Sequence, residues 1–113
     1  MSSPIGNTIE HHPELGFYIN VFDHREESLA FFEEQGLQGG GPTWLGLITA
    51  ALEIESPDTL TSLEFDDESD VLLVSSGSEA SLQVVQSYVS LLMSDPAFLD
   101  LCIKRGTDEG YLE

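Results

Sequence analysis

Positive charge is nearly absent from this chain. Across 113 residues only Arg25, Lys104 and Arg105 are basic, against 21 aspartates and glutamates, for a formal net charge of -18. Binding to phosphate backbones or anionic lipid surfaces rests on clustered lysine and arginine. Nucleic acid and membranes are therefore poor partners, and a cationic protein is a better one. Between Arg25 and Lys104 there are acids but no lysine or arginine, so internal ion pairs must be few. The same composition also describes a solvated acidic surface that serves solubility, and composition does not separate the two readings.

Cysteine is scarce too. Cys102 stands alone, so no disulfide or multi-thiol metal site can form within the chain. Its apolar neighbours Leu99, Leu101 and Ile103 point to a buried structural thiol rather than to a nucleophile. No run of about 18 apolar residues, the length that crosses a bilayer, occurs, and residues 1–7 lack the basic and apolar regions of an export signal. The expectation is a cytoplasmic protein, where a lone thiol stays reduced.

What is present suffices to fold. Hydrophobic residues make up 41% of the chain, enough for buried apolar surface to offset the ordering entropy. The length is that of one domain, expected over residues 1–113 with a core at 9–105 and loose termini.

Local patterns set the order of elements. Strands are expected at 8–11 and 16–22, the second placing Phe17, Ile19 and Val21 on one face. Acids in the first turn and Gly36 as a stop mark a helix over 26–35, with Leu29 and Phe32 inward. A glycine-rich connection leads to a helix over 44–54, capped by Thr43 and carrying Trp44, Leu47, Ile48 and Ala51 at helical spacing. Strands at 63–65 and 70–75 make a hairpin around a polar turn. Ser78 caps a helix to about Met93 with Leu82, Val85, Val89 and Leu92 inward. Asp95 and Pro96 open a last helix that ends at Arg105, before Gly106. The order strand, strand, helix, helix, strand, strand, helix, helix predicts an α+β fold, a small antiparallel sheet with helices packed on it. Trp44, Phe17, Phe32, Leu47, Phe65, Leu73 and Val85 are the expected structural residues.

No constellation of residues points to catalysis. Adjacent His11 and His12 on a strand face opposite ways, so a metal site with His24 would need a chance meeting in the fold. Asp66, Glu68 and Asp70 alternate like the start of a calcium loop, but Val71 and Gly77 stand where its glycine and closing acid belong. Gly39, Gly40 and Gly41 precede a helix without the lysine that a phosphate cradle needs. The serines lack a spaced His and Asp set. The chain reads as a non-enzyme with no cofactor and no metal. Asp66, Asp67, Glu68 and Asp70 crowd a turn expected to protrude into solvent, and they are candidate partner-binding residues together with Glu55 and Asp58.

Short motifs add a resemblance. Phe31-Phe32-Glu33-Glu34-Gln35-Gly36-Leu37 followed by Gly40-Gly41-Pro42-Thr43-Trp44 resembles part of the immunity protein 51 family. In that pattern a helix ending in glycine passes through a glycine-rich turn to a small hydroxyl residue and a tryptophan that open a second helix. Residues 63–70 are similar to the family's strand and acidic turn, and residues 75–80 to the stretch before its last helix. The likeness covers residues 16–93. It departs at Pro42, where an aromatic is often found, and in an added helix at 95–103. The resemblance implies a bacterial immunity protein that binds the catalytic domain of a polymorphic toxin and shields the producing cell, without catalysis of its own. Many such toxins act on nucleic acid and are basic, so an acidic protein would be steered onto them. The other reading is an acidic adaptor or structural domain that binds a basic cellular protein.

Overall fold

The alternation at residues 16–23 organises the whole sheet. In a computed structural model of the chain, which describes residues 4–14 and 16–112, strand β3 (Gly16–Asp23) has neighbours on both sides. Residues 1–3 and 113, part of the expected loose termini, lie outside the described residues. On one side β3 pairs with β1 (Ile5–Gly6), opposite Asp23 and Phe22, and with β2 (Ile9–His12), opposite Ile19 to Gly16. On the other it pairs with β5 (Leu72–Ser76), which in turn pairs with β4 (Glu64–Asp67). All four pairings are antiparallel and make a five-stranded sheet.

The strand period of two then divides the sheet into unlike faces. Ile19 lies opposite Val74 and Val21 opposite Leu72, and all four are fully buried under helices. Tyr18, Asn20, Phe22 and Leu73 occupy the alternate positions and are half-buried or exposed. Leu73 thus belongs to the opposite face, and its neighbours Leu72 and Val74 fill the core in its place.

The covering elements are α1 (Glu26–Glu34), α2 (Gly41–Glu55), α3 (Glu79–Ser94) and α4 (Pro96–Glu109), with a 3-10 turn at Pro57–Ser62. Both α2 and α3 pack on the sheet, and α4 packs on α2 and α3. With the sheet on one side and α4 on another, α2 buries Trp44, Leu47, Ile48, Ala50, Ala51 and Leu52, more than the single stripe of its sequence pattern. In α3 the buried residues are Leu82, Val85, Val89 and Leu92, and the Ser78 side chain caps it by accepting from the Ser81 amide. Asp95 caps α4, its Oδ1 accepting from the amides of Ala97 and Phe98 at 3.0 and 3.2 Å. Phe17 and Phe65 are half-buried against the core.

Four local expectations are corrected. Gly40, not Thr43, is the N-cap of α2; Thr43 lies buried in the first turn, and its hydroxyl accepts from the Gly39 amide at 3.0 Å. Leu29 is 37% exposed, because α1 is short and buries only Phe32 fully, whose ring meets Trp44 edge-on at 5.9 Å. Helix α4 runs through Gly106 to Glu109 and ends at Gly110, in the left-handed region with φ 78°. Gly106 serves a close approach instead of a stop. A Cβ there would meet Leu112 at 2.9 Å, and one on Gly46 would meet the Tyr111 carbonyl at 2.7 Å, so the tail folds back between α2 and α4. Finally, β1 is an additional short strand. The His24 amide donates to the Pro4 carbonyl at 2.7 Å, and Asn7 Nδ2 donates to the Gln86 carbonyl of α3 at 3.1 Å.

Candidate partner-binding surface

The turn between β4 and β5 closes through the Glu68 amide, which donates to the Val71 carbonyl at 2.8 Å. The side chains of Asp66, Asp67, Glu68 and Asp70 are exposed. Its backbone, however, does not protrude. A Cβ on Gly40 would collide with the Ser69 carbonyl, and one on Gly41 with those of Glu68 and Val71. Only glycine lets the start of α2 come so close to the turn. The His24 ring nitrogen Nε2 lies 3.0 Å from the Asp70 carbonyl on the same turn. The expected free loop is therefore a clamped one with its carboxylates outward. Its carbonyls and acids crowd the positive end of the α2 dipole, which offsets part of their mutual repulsion.

Glu55 and Asp58 lie elsewhere. Glu55 ends α2 and Asp58 is in the 3-10 turn that follows. A 15-residue helix is about 20 Å long at 1.5 Å per residue. The six candidate acids thus divide into a set at each end of α2. Glu55 affects Cys102 instead: burial, and then the Glu55 charge, push this thiol up to about 11, so it stays protonated at neutral pH.

Two of the three cations are already engaged. Arg25 donates from Nε to Asp23 Oδ1 at 2.9 Å and from Nη2 to Oδ2 at 2.8 Å, while Ser28 Oγ donates to Oδ2 at 2.7 Å. Asp23 is buried. Burial alone pushes its carboxyl up, but the hydrogen bonds from Arg25 and Ser28 and the Arg25 charge outweigh it and hold it below the usual carboxylate range. Arg105 reaches Glu53 at 3.3 Å and Glu109 at 3.9 Å. The outward field of the molecule is left to its acids. The signal for Asp23 in the sequence is an acid two residues before an isolated arginine.

Beside this ion pair a groove of about 270 Å³ runs between α1 and the corner of α3 and α4, with Phe31, Phe32, Trp44, Leu92 and Leu99 among its walls. Trp44 is 1% exposed, and its indole Nε1 has no acceptor among the described residues. Each histidine packs on a different aromatic ring: His11 against Phe17, His12 against Tyr18 and His24 against Phe22. Among the described residues no three His, Cys, Asp or Glu side chains gather as metal ligands, and no helix is long and apolar enough to cross a membrane.

Fold and charge together define an acidic α+β protein whose carboxylates stand on a firm frame, and the comparison with known families carries this further. The family model described as Immunity protein 51 matches residues 7–108. The chain belongs to the immunity protein 51 family. That match takes in residues 95–103, so the helix read as an addition to the family lies inside it. Neither a curated protein nor a solved structure matches the chain.

Proposed function

We propose that this protein neutralises a cognate toxin by stoichiometric binding in the cytoplasm of the bacterium that makes both, without catalysis of its own. The observation that carries this reading is membership of the immunity protein 51 family over residues 7–108. The charge supports it, since 21 acids against three basic residues, two of them already paired with acids, suit a basic partner and repel phosphate. The clamped β4–β5 turn supports it too, because carboxylates on a fixed backbone engage a partner with little ordering cost.

The test is co-expression with a candidate toxin, the variable C-terminal domain of a secreted protein sought among the neighbouring genes, followed by titration calorimetry on the purified pair. Expected are rescued growth and a saturating complex with one copy of each chain. Rescue without a complex would point to an activity of its own. Binding to a basic cellular protein with no rescue would favour the acidic-adaptor reading.

A further inference from the structure

The sheet has one face under helices and one face under nothing among the described residues. On the second, β3 presents Tyr18 and Phe22, and Leu73 of β5 stands beside them opposite Asn20. All three large side chains are only half-buried. An open antiparallel face facing water ordinarily carries polar residues at such central positions. Here the register places the acids at the margins: Glu10 of β2 lies opposite Tyr18, Asp66 of β4 opposite Leu73, and Glu64 opposite Ser75. No strand contains a lysine or arginine. A largely aromatic and apolar centre, interrupted by the exposed Asn20, within a charged rim is the anatomy of a protein-binding surface.

We propose that this open face is the toxin-contacting surface and that its occupant is a cationic protein surface with an apolar centre. The proposal rests on the immunity reading above and names the face that serves it. Charge selects the occupant. A second copy would bring another chain of net charge -18 and set acidic rim against acidic rim, which costs free energy. Nucleic acid and anionic lipid are repelled for the same reason. A basic protein meets carboxylates on both margins and buries Tyr18, Phe22 and Leu73 between them. Asp66 joins this rim to the clamped β4–β5 turn, so the charges that attract a partner continue directly into the face that would hold it.

The experiment compares three variants of the full chain that each change the net charge by one: Leu73→Lys and Asp66→Asn on the face, and Glu33→Gln on α1 away from it. Binding to the neighbouring-gene toxin domain is measured by surface plasmon resonance, with thermal unfolding as a check on the fold. Leu73→Lys is expected to weaken binding by about 100-fold, mainly through faster dissociation. Asp66→Asn should weaken it by about 10-fold, and Glu33→Gln by less than about 3-fold. Asp66→Asn is near-isosteric and keeps the test valid if Leu73→Lys unfolds. Wild-type binding that both face variants retain overturns the surface assignment alone, whereas no binding by the wild-type chain overturns the immunity reading and this assignment with it. A wild-type dimer that Leu73→Lys splits would place a second copy on the face and also overturn the proposal.

Discussion

The two ends of α2 are held in opposite ways. At its start the contact is backbone against backbone, with Gly40 and Gly41 pressed on the carbonyls of Glu68, Ser69 and Val71. At its far end side chains make the contact. The Tyr111 hydroxyl and the Arg105 guanidinium both donate to Glu53. Backbone atoms cannot yield as a flexible side chain can, so the first end fixes what lies on it more firmly than the second. The acids of the β4–β5 turn lie on the firm end, and Glu55 and Asp58 on the adaptable one. Four carboxylates on the firmer support, against two on the more adaptable one, favour the turn as the partner-facing set, because rigid groups lose less entropy on binding.

The largest effect is expected in the first turn of α2, where Trp44 meets Phe32 of α1. Trp44→Ala should cost about 3–5 kcal/mol of stability in denaturant unfolding, the usual range for deleting a buried aromatic. Near-wild-type unfolding together with weakened toxin binding would instead make the Trp44 groove a contact site.

Gly41→Ala tests the firm end directly. The added methyl must displace two carbonyl oxygens of the acidic turn, and the expected loss is about 3 kcal/mol, at the upper end of overpacking costs. Gly77→Ala is the matched control, since a Cβ there meets nothing within 4 Å; it should change stability by less than about 0.5 kcal/mol. Equal values for the two variants would show that the clamp gives way and would remove the contrast between the ends.

At the adaptable end, Tyr111→Phe deletes the donor to Glu53 while keeping the ring. A small drop in the denaturant midpoint is expected, well below that of Gly41→Ala, because a hydroxyl open to water exchanges this hydrogen bond for one to solvent. Arg105 remains to engage Glu53, which keeps the loss small. A loss as large as that of Gly41→Ala would mean that the tail is as rigidly coupled as the turn.

The same contrast separates what was legible in the sequence from what was not. The stripe Leu82, Val85, Val89 and Leu92, the Ser78 cap and the Asp95-Pro96 start are local signals, because a helix's period and caps are written within a few residues, and the structure has them in place. The face of Ile19 and Val21 was legible for the same reason. Leu73 was not, because Leu72, Leu73 and Val74 form an unbroken apolar run in which the period of two leaves no mark, and only the register with Val21 and Asn20 decides which residue turns outward. The clamp was illegible because its halves are about 30 residues apart in the chain and glycine signals flexibility and close approach alike. Asp23 was only half legible, since an acid two residues before an isolated arginine marks a possible pair but not that the acid is buried. Of the candidate site, the acidic turn could be picked out by composition, whereas its fixed backbone and its continuity with the open sheet face depend on pairings that span the chain.

The smallest effect on stability, and the most informative about function, is expected from neutralising the turn with Asp66→Asn, Asp67→Asn, Glu68→Gln and Asp70→Asn together. Two consequences oppose one another. Relief of repulsion among four crowded carboxylates stabilises the fold, and loss of negative charge beside the positive end of α2 destabilises it, each by a few tenths of a kcal/mol. The net change in unfolding free energy should stay within about 0.5 kcal/mol. Association is another matter, because steering depends on where fixed charge lies. Stopped-flow mixing with the toxin domain at low salt should show association slowed about 10-fold, with a flatter dependence on ionic strength. Dissociation should change less, except through Asp66, which also lies on the rim of the open face. The same substitutions at Glu55 and Asp58 should leave the association rate within about 2-fold. Slowing in proportion to the charge removed, four from one set and two from the other, would mean that net charge alone guides the encounter, and the difference between the two ends of α2 would then be structural only.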